Sequence, residues 1–172
     1  MDSTSSIFLV GMPGCGKTTL GKQYAHYSGR TYVDTDKMIT EQQGMTIEEI
    51  YAKGGEIHFR ELEYALLDHF AHKKNMVIGT GGGLPTYKDN MDKMNRMGIT
   101  VFMDVSPEEL WNRLQHTDFS GRPIYQNKTP EQIRETIKAE SERRRVYYSK
   151  AHITLKSDDI QLVDLLEALA RL

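Results

Sequence analysis

An α/β fold, a parallel sheet joined by crossover helices, is what the sequence predicts, and three observations carry that expectation. Short apolar runs at residues 7–10, 31–33, 76–78, 99–103 and 153–155 alternate with helical patterns. The first of these runs passes straight into a glycine-rich turn closed by Lys17-Thr18, as a first strand hands over to a first helix. At 172 residues the chain suits one compact domain with a substantial core, and it carries no internal repeats or low-complexity segments.

The first turn, Gly11-Met12-Pro13-Gly14-Cys15-Gly16-Lys17-Thr18, fits G-x-x-x-x-G-K-[ST] without a mismatch. Its glycines permit backbone conformations that a Cβ would obstruct, so successive N–H groups can turn inward around phosphate oxygens. Lys17 adds a point charge for the β- and γ-phosphates, the Thr18 hydroxyl can bind magnesium, and the following helix presents its positive end to the same anion. Gly14, Cys15, Gly16, Lys17, Thr18 and Thr19 are therefore the expected nucleotide contacts, and the chain is expected to bind a nucleoside triphosphate. Cys15 is the single cysteine, which rules out an intrachain disulfide; it reads as a small residue that fits the loop.

The second strand runs into Asp34-Thr35-Asp36. Residues two apart on a strand face the same side, so both carboxylates are expected to point toward the phosphate loop. One could hold magnesium through water while the other accepts a hydrogen bond or proton from an incoming hydroxyl. Asp104, which ends the fourth strand, is a rival magnesium acid, and it could equally cap the turn before Ser106-Pro107.

Helix starts are legible. Thr46-Ile47-Glu48-Glu49 reads as a capping box with Met45 and Ile50 stapled across it, while Ser106-Pro107-Glu108-Glu109 and Thr129-Pro130-Glu131-Gln132 each offer a cap followed by proline. Long helices are expected over residues 46–72 and 130–148, with shorter ones following Lys17, Pro107 and Asp158. Residues 115–127 lack periodicity between two helices and read as a mobile loop.

The third strand ends in Gly79-Thr80-Gly81-Gly82-Gly83, which is either a plain turn or a place where backbone approaches a ligand closely. Arginines fall where anions would need them: Arg60 on the second helix, Arg122 in the loop before Pro123, and Arg143-Arg144-Arg145 near a helix C-terminus, where the dipole favours cations in any case. The formal net charge of −2 offers no basic field for nucleic acid or an anionic membrane. No apolar stretch approaches a membrane span and the N-terminus does not read as a signal peptide, so a cytoplasmic location is expected.

Taken jointly, the phosphate loop, Asp34-x-Asp36, Gly55-Glu56-x-x-Phe59-Arg60-x-x-Glu63, Thr80-Gly81-Gly82-Gly83, Arg122-Pro123 and Glu142-Arg143-x-x-x-Tyr147 resemble the shikimate kinase family in order and spacing, from Gly11 to about Ala151. The resemblance implies a three-layer α/β/α P-loop kinase fold like that of nucleoside-monophosphate kinases, with a central five-stranded parallel sheet. It also implies a single domain over residues 1–172, with a helical substrate-binding segment at about 34–62 and a mobile lid at about 113–128. The implied activity is ATP-dependent phosphorylation of the 3-hydroxyl of shikimate with Mg2+, on a monomer whose partners are ATP and shikimate. In such enzymes Asp34 would assist magnesium beside Thr18, and Asp36 would meet the substrate hydroxyls. Arg60 and Arg143 would pair with the substrate carboxylate, with Arg144 as runner-up to Arg143; Gly81, Gly82 and Gly83 would line the ring. Arg122 resembles the lid arginine and Arg113 a residue that stacks on adenine.

The chain departs from the family pattern in three places. Gly79 stands where Ala or Ser is usual, Ile124-Tyr125 follow Arg122-Pro123 in place of Leu-Leu, and Arg144-Arg145 replace the usual Asn-Pro. Two other readings stand beside this one: a kinase for another small polyol acid such as gluconate, and a nucleotide-binding regulator without catalysis.

Overall fold

The computed structural model describes residues 5–117 and 123–172. Five strands form one parallel sheet in the order β2-β3-β1-β4-β5: β1 (Ser6–Val10), β2 (Thr31–Asp34), β3 (Met76–Gly79), β4 (Gly98–Asp104) and β5 (Ile153–Lys156). Each expected strand is present, extended by one or two residues at its ends. The unbroken apolar character of β1 follows from its central place, since a strand with helices on both faces has no solvent side, and all five of its residues are buried.

The two faces are covered by different helices. Leu9 lies against Gly21 of α1 (Lys17–Ser28), while Phe8, which points the opposite way, meets Phe70 edge-to-face at 6.2 Å just beyond α3 (Ile47–Asp68). Between them α2 (Thr35–Gln43) links β2 to α3, and α4 (Asn90–Met97) leads into β4. Helix α5 (Pro107–Leu114) follows β4, α6 (Pro130–Tyr148) packs against α5, and α7 (Leu162–Ala170) closes the chain against β5.

Register brings the strand ends to one edge. Gly79 lies opposite Leu9 on one side and Asp34 on the other, and Val10 lies opposite Phe102. The connection from β1 runs toward β2 and that from β3 toward β4, so the order switches between neighbouring strands; a crevice opens there at the carboxyl ends.

Three differences from the sequence reading have plain local causes. Asp34-Thr35-Asp36 is not a strand end throughout: Asp34 closes β2, and its Oδ1 accepts the backbone N–H groups of Asp36 (3.0 Å) and Lys37 (3.2 Å) as the N-cap of α2. Asp36 therefore sits on a helical turn, and strand alternation does not decide where it points. The long helix expected over residues 46–72 starts with its Thr46–Glu49 capping box but ends at Asp68, and it is kinked at Gly55 (φ 73°, ψ −178°). Helix α4 was not expected, because its polar sequence gives only a short stripe of buried Asn90, Met91 and Met94. Of the expected lid, residues 118–122, and with them Arg122, lie outside the described residues; Pro123–Tyr125 form a single 3-10 turn with Tyr125 buried.

Candidate active site

The phosphate loop has the shape its motif requires. Gly11, Gly14 and Gly16 hold φ of +146°, +85° and +100°, values that favour glycine. Lys17 folds back so that its Nζ donates to the carbonyls of Gly11 (2.8 Å) and Met12 (2.9 Å). The first turn of α1, which begins at Lys17, leaves its N–H groups without intrahelical acceptors, so an anion can take them. Thr18 and Thr19 are exposed on that turn, and Cys15 is buried beneath the loop. Arg113 lies alongside: its Nε donates to Glu109 Oε1 (2.8 Å), its Nη1 to the Gly14 carbonyl (3.4 Å) and its Nη2 to the Asp158 carbonyl.

Next to the loop is a cavity of about 500 Å³ whose wall includes Pro13, Asp36, Arg60, Glu63, the glycine run and Arg144. Arg60, after the Gly55 kink, donates from Nη1 to Glu63 Oε2 (2.6 Å) and from Nη2 to Glu56 Oε1 (3.0 Å). The three glycines make room for these side chains. A Cβ on Gly81 would collide with Asp36 Oδ1 and reach 2.8 Å from Glu63 Oε1; one on Gly82 would lie 3.1 Å from Arg144 Nη1; one on Gly83 would collide with the Arg60 guanidinium. Tyr148 ties α6 to the same run by donating from its hydroxyl to the Gly82 carbonyl at 2.6 Å.

Of the two acids that line this cavity, Asp36 Oδ1 and Glu63 Oε1 are buried with no hydrogen-bond partner among the described residues. Burial pushes Glu63 up to about 7 against the pull of Arg60. It pushes Asp36 up to about 6, helped by the charge of Asp34 and opposed by Lys17 and Arg60. Buried acceptors without donors are costly, and they match a ligand that brings hydroxyl groups.

The arginine triplet divides by position. Arg144 is the buried one, its side chain 6% exposed, with Nε donating to Glu140 Oε2 at 2.7 Å. Arg143 is 56% exposed at the rim and holds Glu140 through Nε (3.0 Å) and Nη2 (2.6 Å). Both line the cavity, and helical phase sets their depth: Arg144 shares the face of Glu140 and Tyr148 that packs inward, while Arg143, which the sequence reading ranked first, stays at the rim. Arg145 points elsewhere and pairs with Asp104, its Nη1 lying 3.2 and 3.1 Å from the two carboxylate oxygens. The rival magnesium acid is thus engaged by a cation, whereas Asp34 lines an opening of about 590 Å³ together with Thr18.

The sequence reading gave no role to Glu63, Glu140 or Tyr32. The first two carry a signal in hindsight, each standing three or four residues from an arginine on a helix. Tyr32 carries none, because the gap its ring fills is left by Gly79 on the neighbouring strand.

A P-loop, a parallel sheet with its switch point beside that loop, and an arginine-lined cavity next to it together define a small-molecule kinase of the P-loop class. The family model for shikimate kinase matches residues 13–170, and the chain belongs to that family. It is similar to the shikimate kinase of Phocaeicola vulgatus, 39% identical over 155 residues that cover 90% of this chain and 88% of the relative. Among solved structures it resembles shikimate kinase from Bacteroides thetaiotaomicron (TM-score 0.89, 38% identity, 98% and 99% of the two chains). It also resembles that from Acinetobacter baumannii in complex with shikimate (TM-score 0.86, 30% identity, 98% and 92%). A gluconokinase from Sinorhizobium meliloti shares 14% identity at a TM-score of 0.58, a likeness of fold alone.

Proposed function

We propose that this chain transfers the γ-phosphoryl group of ATP to the 3-hydroxyl of shikimate. The observation that carries the reading is the cavity beside the phosphate loop, lined by Arg60, Arg143 and Arg144 and by two acids, Asp36 and Glu63, each with a buried oxygen that has no hydrogen-bond partner among the described residues. A planar substrate carboxylate would be met by Arg60 and Arg144, whose forked donors suit it, and Asp36 and Glu63 would accept from ring hydroxyls. Arg143 at the rim would add charge to the same end.

Asp36 would orient the reacting hydroxyl and take its proton late, because a loose phosphoryl-transfer transition state asks little of a base. Lys17 would leave the loop carbonyls for the β- and γ-phosphates, and the open N–H groups of α1 would hold the same oxygens. Arg122 enters on its sequence motif alone, as the lid cation over the γ-phosphate. Arg113, beside the Gly14 carbonyl, would flank the base.

Thr18 and Asp34 fit Mg2+: they supply hard oxygen donors at one opening, where Asp34 Oδ1 is committed to the α2 cap and Oδ2, 3.5 Å from the Tyr32 hydroxyl, keeps capacity for a metal-bound water. The ion would neutralise phosphate charge there. The enzyme is read as a monomer, with residues 1–172 as one domain. The cytoplasm is the location that the reading takes; no helix among the described residues is long and apolar enough to cross a membrane.

The test is ADP release in a coupled assay with MgATP and shikimate, against gluconate and no acceptor. Strong release with shikimate is expected. Release with gluconate alone would overturn the substrate assignment, and no acceptor-dependent release from a protein that binds ATP would favour a regulator.

A further inference from the structure

Two of the three arginines in the cavity are fastened to one acid, Glu140, which lines the same space. Residues 140, 143 and 144 stand three and four apart on α6, so their side chains meet on one face of the helix. Glu140 Oε1 accepts from Arg143 Nε (3.0 Å), while Oε2 accepts from Arg143 Nη2 (2.6 Å) and Arg144 Nε (2.7 Å). Burial works to raise the pKa of this acid, but the hydrogen bonds and charges of the two arginines outweigh it and hold the carboxyl below its ordinary value. Glu140 is therefore an anion at neutral pH, set among the groups that would receive another anion.

The two guanidinium groups are used differently. In Arg143 the carboxylate takes the whole Nε–Nη2 edge as a side-on fork. In Arg144 it takes Nε, and Nη1, which stands outside that edge, lies at the cavity floor 3.1 Å from where a Cβ on Gly82 would be. A resident anion has two opposed effects on an incoming one: it repels it and competes for donors, and it holds those donors in place. At Arg144 the second effect prevails, because the acid and a ligand over Gly82 would use different nitrogens of one guanidinium. An arginine side chain loses much rotational freedom when it is ordered by a ligand, and one already held by its Nε has less to lose.

We propose that Glu140 is a positioning residue, which holds Arg144 by its Nε so that the Nη end stands ready for the substrate carboxylate. The proposal rests on the reading of this cavity as the shikimate site with Arg144 as a carboxylate ligand. It gives a role to the one acid of the α6 face that the proposed reaction leaves unused.

The test is shikimate affinity by calorimetry without nucleotide, which needs no turnover, with ADP affinity and melting temperature measured on the same samples. Glu140→Ala is expected to weaken shikimate about fivefold, the effect of having to order one freed arginine on binding. Its ADP affinity should stay within about twofold of wild type, since the acid belongs to the acceptor cavity and not to the phosphate loop. Glu140→Gln keeps one acceptor oxygen and should fall between wild type and alanine. In an Arg144→Ala background the Glu140→Ala change should weaken shikimate by less than about twofold, because the acid acts through that side chain. Unchanged shikimate affinity in Glu140→Ala overturns the proposal, and so does tighter binding, which would make the acid a competitor of the substrate. A loss shared equally by ADP, or one of the same size without Arg144, overturns it as well. The two layers separate cleanly. A wild type that binds no shikimate, or an Arg144→Ala protein that binds it as tightly as wild type, removes the reading of the site and the positioning role with it. A weakened Arg144→Ala beside an unaffected Glu140→Ala removes the positioning role alone.

Discussion

Replacing Arg144 with alanine should raise the KM for shikimate far more than replacing Arg143. The Arg144 side chain is 6% exposed, and its Nη1 lies near the Gly82 backbone at the cavity wall, so its contact with a carboxylate would be made out of water. A hydrogen bond to a charged partner in such a place is worth about 1.5–3 kcal/mol, which corresponds to roughly 10- to 150-fold in affinity. Arg143 is 56% exposed, where an ion pair contributes less than about 1 kcal/mol, or up to about fivefold. The fold should tolerate the Arg144 change, because Arg143 still holds Glu140 through Nε and Nη2. Steady-state kinetics at saturating MgATP give the comparison, with melting temperature as the control. Arg144→Lys should fall between wild type and alanine, since the charge remains but the fork is lost. A larger KM effect from Arg143→Ala than from Arg144→Ala would refute the reasoning, because burial and helical phase would then have failed to identify the carboxylate ligand.

Gly83→Ala should raise the KM for shikimate with little change in that for ATP, because its Cβ would push the Arg60 guanidinium from its place; equal effects on both would point to a general loss of structure. Asp34→Asn should weaken Mg2+ dependence while Asp104→Asn, which only breaks the pair with Arg145, should not; the opposite result in a Mg2+ titration of activity would exchange the two acids. Asp36 and Glu63 sit near 6 and 7, above their ordinary 3.8 and 4.5, so the folded chain binds more protons than the unfolded chain between these values. Their contribution to ligand-free stability is present below about 4 and lost as the pH rises toward 7, and melting temperatures should show a slope that Glu63→Gln flattens; an unchanged slope in that variant would count against it. Lys17→Ala should abolish transfer and leave the melting temperature close to that of the wild type, since the lysine touches only two loop carbonyls and the Cys15 thiol; wild-type turnover would remove it from the chemistry.

What could be read in the sequence was whatever depends on neighbours in the chain. The strands, the Thr46 and Thr129 capping boxes and the phosphate loop are local patterns, and each stands where its pattern put it. Helix α2 was hidden because Asp34 and Asp36 read equally well as strand residues, and only the hydrogen bonds to Asp34 Oδ1 show that the backbone turns there. The different depths of Arg143 and Arg144 could not be read either, because one step of helical phase separates them and spacing to Glu142 and Tyr147 does not resolve it. The place of Tyr32 was invisible for a stronger reason: its hydroxyl fills the space of a side chain missing from Gly79, on a strand that meets it only in the folded sheet.

The glycine run shows how a site can look like a flexible turn in one dimension and like a template in three. Each of its glycines gives way to different side chains: Gly81 to Asp36 and Glu63, Gly82 to Pro13 and then Arg144, Gly83 to Arg60. A turn needing flexibility alone would tolerate alanine wherever φ allows, and none of the three holds a positive φ; Gly83 lies at φ −88°, ψ −23°. Their identity is therefore set by what approaches them and not by backbone strain. The same geometry bears on the choice between acid substrates. Three arginines, and two acids with buried oxygens unpartnered among the described residues, stand around the glycine floor, an arrangement that suits a ring with its carboxylate at one end and hydroxyls at the other. An open-chain polyol acid would first have to be ordered along that floor, at a conformational cost that a ring does not carry. Discrimination against gluconate should thus weaken when the floor is opened or displaced, and Gly83→Ala should narrow the ratio of kcat/KM for the two acids as well as raise the shikimate KM. If that ratio stayed fixed while both values fell, the floor would be serving catalysis in general and not the shape of the substrate.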